Sequence, residues 1–211
     1  AQATGGLASS LDDGATWQWS CAAAFDVDPR MEDPRIAFLP TGDLYLTTFG
    51  GLYATADQCS YAADADPRFG GYPIDLATDP LGGLFVALNV AFETDELWYR
   101  EPSGAWTLRG PVGTNEDLVD TLVVAPSDPA HVYTGGGSIR QPDLSRRIFV
   151  QHSRDAGRSF ETTYLERRGE AYAIHVLQVD PLDPDVLWAW RVYTSPSPRT
   201  RTRSRIPSSA C

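Results

Sequence analysis

The chain has 211 residues, 42% of them hydrophobic, which is enough to bury the core of one domain and argues against a disordered chain. The formal charge is −11, and all 17 basic residues are arginine. A body this acidic repels phosphates and anionic lipid, so neither nucleic acid nor a membrane surface is an expected partner.

Residues 1–6 read AQATGG, with neither an initiator Met nor a signal peptide, so a processed protein or a fragment is expected. The first ordered signal is Ser10-Leu-Asp12-Asp-Gly14-Ala-Thr16-Trp17. It returns as Ser153-Arg-Asp155-Ala-Gly157-Arg-Ser159-Phe160. Both fit Ser-x-Asp-x-Gly-x-(Ser/Thr)-aromatic. Two degenerate copies lie between them. Thr55-Ala-Asp57-Gln-Cys-Ser60-Tyr61 keeps the hydroxyl, the Asp and the aromatic but is one residue short. Ser103-Gly-Ala-Trp106 keeps only the turn and the aromatic. The closing aromatics Trp17, Tyr61, Trp106 and Phe160 are spaced by 44, 45 and 54 residues, a period suited to a four-stranded unit.

Each unit is expected to open with a strand: 36–39, 74–77, 121–124 and 176–179. A turn rich in Pro, Gly or Asp follows, then an alternating apolar strand such as Leu44-Tyr45-Leu46 or Leu84-Phe85-Val86. A third strand enters the box at Gly51-Leu52-Tyr53, Leu97-Trp98-Tyr99 and Ile148-Phe149-Val150. The fourth leaves it through 17–21, 106–108 or 160–164. A lone unit cannot bury both faces, so successive units must stack. The expected fold is therefore all-β, a β-propeller of four-stranded antiparallel blades, incomplete at about four blades. The expected divisions are a blade end at 1–30, blades at about 31–66, 67–112 and 113–168, and the start of another at 169–193.

Inside the box, Gly sits where a hairpin wants a positive φ. The Asp can accept backbone N–H groups across the turn, the hydroxyl adds a further bond, and the aromatic packs into the neighbouring sheet. These residues are therefore expected to be scaffold rather than catalytic or metal-binding.

The boxes Ser10–Trp17 and Ser153–Phe160 resemble those of the Asp-box (BNR-repeat) β-propellers: sialidases, the sortilin ectodomain, tandem-propeller xyloglucanases and photosystem-II-assembly-factor-like propellers. The resemblance covers about residues 1–193 and implies six to ten blades, so the chain reads as part of a propeller. It implies a fold more than a function, because one propeller hosts many activities.

Catalytic requirements are poorly met. The sialidase arginine motif should precede the first box. Arg35-Ile36 keeps two of its letters, follows the box and lacks the flanking Phe and Pro. A glycosidase of the xyloglucanase kind needs two opposed carboxylates. Asp26, Asp28, Asp33, Asp66, Asp75, Asp79, Asp120 and Asp180 lie near first-strand turns and leave that alternative open. His131, His152 and His175 fall in different parts of the repeat without metalloprotease spacing, so no metal or cofactor is expected. Gly135-Gly136-Gly137-Ser138 lacks the Lys of a phosphate loop and reads as part of an extended hairpin loop. Cys21 and Cys59 could pair in an oxidising compartment, leaving Cys211 over.

The functional expectation is a non-catalytic extracellular scaffold that binds a protein, peptide or glycan through loops 88–96 and 135–147, with Phe92, Trp98, Arg140 and Arg146 as contact residues. The alternative is a glycoside hydrolase fragment. The arginine-only, Ala/Gly/Pro/Asp-rich composition points to a bacterium with a GC-rich genome, and the location to the exterior or cell envelope. Residues 194–211 lose every acidic residue and the apolar alternation, and are expected to be a disordered tail.

Overall fold

Strands fill the repeat in the computed structural model, which describes residues 2–193 except 4–5, 11, 29–31, 33, 92, 139–146 and 166–170. The first sheet is β1 (Gln2–Ala3), β2 (Gly6–Ser9) and β3 (Gln18–Cys21). The second is β4 (Ile36–Phe38), β5 (Leu44–Thr48), β6 (Gly51–Thr55) and β7 (Ala62–Ala63). The third is β8 (Tyr72–Thr78), β9 (Leu84–Asn89), β10 (Asp95–Arg100) and β11 (Trp106–Val112). The fourth is β12 (Asp117–Val124), β13 (Val132–Ser138), β14 (Ile148–Ser153) and β15 (Glu161–Leu165). β16 (Ala171–Val179) and β17 (Leu187–Tyr193) make the fifth. Every sheet is an antiparallel meander, so the fold is all-β with four-stranded sheets like propeller blades. No helix among the described residues is long and apolar enough to cross a membrane.

The sheets stack through four successive cores. Leu7, Phe25, Leu44 and Leu46 join the first two sheets, and Leu39, Tyr45, Leu76 and Val86 join the second to the third. Phe85, Leu97, Leu122 and Phe149 join the third to the fourth, and Tyr133, Val176 and Val179 join the fourth to the fifth. The first strands β4, β8, β12 and β16 are neighbours in that order. Register shifts between Pro73 and Asp75, Val119 and Thr121, and Val176 and Gln178 put a bulge in three of them. A bulge re-aims the next side chain. Asp75 Oδ2 accepts the Leu122 amide at 2.8 Å, and Thr121 Oγ1 accepts the Val176 amide at 3.0 Å. The third sheet is thereby pinned to the fourth, and the fourth to the fifth, by a side chain that follows the bulge in each first strand.

Three expectations are corrected. Gly135, Gly136 and Gly137 are buried within β13, not in a loop. A Cβ on Gly137 would fall 1.9 Å from the Tyr172 carbonyl oxygen, so the missing side chains are what let β16 close on β13. The stretch expected as a loop at 88–96 shrinks to 90–94, because β9 runs to Asn89 and β10 begins at Asp95. Cys59 is a free, exposed thiol, so the Cys21–Cys59 disulfide is not formed.

Candidate functional site: the outer hairpins and the first-strand cleft

Two regions gather polar side chains, the outer hairpins and a cleft along the first strands. At the first hairpin, Asp12 Oδ1 accepts the Ser10 hydroxyl and the Thr16 amide, each at 2.8 Å, and Oδ2 accepts the Thr16 hydroxyl at 2.6 Å. The Ser10 hydroxyl oxygen takes the Gly14 amide at 2.8 Å. The last hairpin repeats this wiring. Asp155 accepts the Ser153 hydroxyl, the Arg158 and Ser159 amides and the Ser159 hydroxyl at 2.7–2.9 Å, while Ser153 takes the Gly157 amide at 2.8 Å. Gly14 and Gly157 have φ of 88° and 81°, the left-handed turn that favours glycine. The short copy does the same job: Asp57 accepts the Thr55 hydroxyl and the Cys59 and Ser60 amides, with Gln58 at φ 58° in place of glycine. At Ser103–Trp106 no aspartate is present, and Gly104 turns the chain with its amide on the Glu101 carbonyl.

Hydrogen bonds to an ionised carboxylate favour that form. The Thr16 hydroxyl, then its amide and the Ser10 hydroxyl, hold Asp12 below the usual range. The Ser60 and Cys59 amides hold Asp57 well below it. Asp155 is brought down to about 2, chiefly by the Ser159 hydroxyl and amide. With every such donor engaged, these carboxylates have the chemistry of turn locks.

The closing aromatics divide by what lies beside them. Tyr61, Trp106 and Phe160 pack against the core shared with the preceding sheet. Tyr61 meets Phe25 at 5.0 Å between ring centroids, and Trp106 meets Phe69 at 4.3 Å. Trp17 was expected to pack likewise, but it is 59% exposed and its indole N–H reaches only the Gly14 carbonyl, at 3.1 Å. No sheet precedes the first among the described residues, so its ring has no apolar surface to cover.

The cleft has a volume of about 320 Å³ and is lined by the segment before β4, the end of β5 and its turn, and β8, β12 and β16. Its lining includes Glu32, Arg35, Phe49, Tyr72, Asp120 and His175. Phe49 and Tyr72 are about half exposed, with ring centroids 5.2 Å apart at an interplanar angle of 48°. The Phe49 amide donates to Glu32 at 2.6 Å, which fixes the turn that presents the ring. His175 Nε2 lies 3.9 Å from Asp120 Oδ2. Burial pushes Asp120 up to about 6 against the pull of Arg35, and burial and Arg35 together lower His175. Asp75 also rises to about 6 through burial, but its two oxygens are engaged by the Leu76 and Leu122 amides. Of these two raised carboxylates, Asp120 is the one that faces the cleft.

Of the four expected contact residues, Trp98 alone is described. Phe92, Arg140 and Arg146 lie outside the described residues, as do Asp33 and residues 194–211. Trp98 was expected to be exposed. It lies instead half-buried in β10, under Arg68 at 3.9 Å, with its N–H donating to Glu96 at 2.7 Å. Of the aspartates considered for a catalytic pair, Asp79 is buried, where it receives the Leu81 and Gly83 amides and the Tyr99 hydroxyl. Asp66 likewise holds Arg68. Sequence reasoning passed over Phe49 and Tyr72, and read His175 only as a histidine without metalloprotease spacing. Tyr72 and His175 lie on first strands and Phe49 in the β5–β6 turn, so the sequence carries no signal common to the three.

No family model matches the chain, and no curated protein matches it in sequence. Solved structures do match. A GH74 enzyme of Niastella koreensis superposes with a TM-score of 0.58 at 19% identity, over 85% of this chain and 31% of that one. The GH74 xyloglucanase of Xanthomonas campestris gives 0.53 at 16% identity, over 90% and 32%. The chain thus spans about a third of the length of these propeller proteins, and at such identities the likeness is one of fold.

Proposed function

We propose that the chain is a segment of an Asp-box β-propeller, acting outside a bacterial cell, that binds a glycan in the cleft along its first strands without hydrolysing it. In this reading Ser10–Trp17 closes the blade end at 1–30, and Thr55–Tyr61, Trp106 and Ser153–Phe160 close blades at about 31–66, 67–112 and 113–168. The observation that carries it is the half-exposed Phe49–Tyr72 pair beside Arg35, Asp120 and His175. A pyranose has an apolar C–H face and a hydroxylated edge, and an aromatic surface beside charged hydrogen-bonding groups complements both. Xyloglucan oligosaccharides are the first ligands to try, since one structural neighbour is a xyloglucanase by name.

Hydrolysis needs a second carboxylate opposite the first. Asp75 is committed to backbone amides, and Glu32, the other carboxylate lining the cleft, accepts the Phe49 amide, which favours binding without turnover. The alternative, a hydrolase fragment, draws support from Asp120, whose carboxyl at about 6 suits a general acid. Affinity electrophoresis and calorimetry with a panel of oligosaccharides separate the two. The expected result is retardation by at least one glycan, weakened about tenfold or more in Tyr72→Ala and Phe49→Ala, with no product formed. Product formation abolished by Asp120→Asn would establish the hydrolase instead. Absence of binding across the panel would overturn the glycan reading.

A further inference from the structure

Two histidines that the sequence separates by 21 positions meet in the fold. His131 precedes β13 and His152 lies in β14, where it pairs across the ladder with Tyr133. His152 Nε2 stands 3.0 Å from His131 Nδ1, and His131 Nδ1 stands 3.7 Å from Asp185 Oδ1. Asp185 belongs to the turn between β16 and β17, so the cluster bridges the fourth and fifth sheets. One ligand atom from each of the three lies within 4.8 Å of the others.

The arrangement is held from behind. The Tyr133 ring stacks on His152 at 4.1 Å with an 8° tilt. Its hydroxyl donates to the Pro184 carbonyl at 2.8 Å, which places the turn carrying Asp185. His131 is itself mostly enclosed, with 12% of its side chain exposed, and Asp128 Oδ2 lies 3.8 Å from its Nε2. A cavity of about 150 Å³, lined by His152, Arg154, Asp155, Ser159 and Glu161, opens beside the cluster and supplies a route for an ion.

We propose that His131, His152 and Asp185 form a binding site for a divalent metal ion of the zinc class, joining the fourth and fifth sheets. Two imidazole nitrogens and one carboxylate oxygen are a common donor set for zinc, with water completing the tetrahedron. Ligand atoms about 2.1 Å from a tetrahedral ion stand about 3.4 Å apart, close to the 3.0 and 3.7 Å edges found here. The opposing charge is Arg154, 3.4 Å from Asp185 Oδ1. Arg154 also reaches Glu161 at 3.4 Å, so the guanidinium keeps a partner when Asp185 turns to an ion.

The test is titration of chelator-stripped protein with Co²⁺ and Zn²⁺, followed by visible absorption and calorimetry, with X-ray absorption on the zinc-loaded parent. One equivalent should bind, with a d–d spectrum for cobalt and imidazole scattering near the ~2.0–2.1 Å expected for zinc–nitrogen bonds. Binding should weaken about tenfold or more in His131→Ala and His152→Ala, less in Asp185→Asn, and not at all in Cys59→Ser. Affinity should also fall on acidification as imidazole protonates. Sulfur scattering near ~2.3 Å, which would place the ion on a cysteine, overturns the proposal. So does the absence of micromolar binding by the parent. The X-ray absorption measurement on the parent keeps the proposal open to refutation even if a histidine variant fails to fold.

Discussion

Aspartates do opposite work at the rim and in the interior of this molecule. At the hairpins, Asp12, Asp57 and Asp155 are surrounded by the amides and hydroxyls of their own turns, which favour the ionised form. Along the first strands, Asp75 and Asp120 lose water to neighbouring sheets, and desolvation outweighs the amides and Arg35 that oppose it. The same side chain is a lock where donors are local and a poised acid where burial comes from distant chain. The hairpins also differ between themselves. Ser153 is fully buried and Gly157 abuts Leu97 of the preceding sheet, while Gly14 of the Ser10–Trp17 turn meets no neighbouring sheet among the described residues.

The largest expected effect falls on that last contrast. A Cβ on Gly157 would lie 2.3 Å from Leu97 Cδ2, in addition to the cost of a positive φ. Gly157→Ala should destabilise by about 2–3 kcal/mol in urea melts, from overpacking together with backbone strain. At Gly14 the nearest atom is 3.8 Å away, so Gly14→Ala should cost only the strain, about 1 kcal/mol. Equal losses at the two glycines would show that sheet packing does not distinguish the hairpins.

Removing the lock comes next. Asp155→Ala deletes acceptors for two amides and two hydroxyls. It should cost about 2 kcal/mol at pH 7, the partly exposed site allowing water to replace some of them. The exposed Asp12→Ala should cost less. Hydrogen exchange of the Ser159 and Thr16 amides would localise each loss.

The smallest effect is a pair of opposed pH slopes. Asp155 has a lowered pKa, so its contribution is complete above the ordinary carboxylate value and lost as pH falls toward about 2. Asp120 has a raised pKa. Between about 4 and 6 the folded chain holds a proton that the unfolded chain has released, so stability rises as pH falls through 6 toward 4. Asp120→Asn should reduce the slope between pH 6 and 4, to which Asp75 also contributes, and Asp155→Asn the slope below 4, in denaturant melts taken across pH. A flattened upper slope in the Asp155 variant would reverse the assignment.

Much of the architecture was legible because its causes are local. Alternation, turn residues and the period of the closing aromatics follow from short-range sterics and hydrogen bonding, and the observed first strands contain the segments expected for them apart from Leu39. The candidate cleft was not legible. Phe49, Tyr72 and His175 carry no shared motif and line one cleft only because stacking of the sheets sets the β5–β6 turn beside β8, β12 and β16. Asp75 and Asp120 could be named as carboxylates near first-strand turns, but nothing in the sequence divides them. A bulge commits the first to the Leu122 amide and leaves the second facing the cleft. Gly135–Gly137 misled for a related reason: glycine marks a loop by local rules, whereas here it makes room for a neighbouring sheet.

The sequence by itself determined the repeat, the all-β class and the hairpins, since each depends on residues within a few positions of one another. Only the tertiary structure decided which aromatics are covered, which carboxylate stays available, and that His131 and His152 meet, because stacking brings together groups from separate strands and sheets and sets how much water each retains.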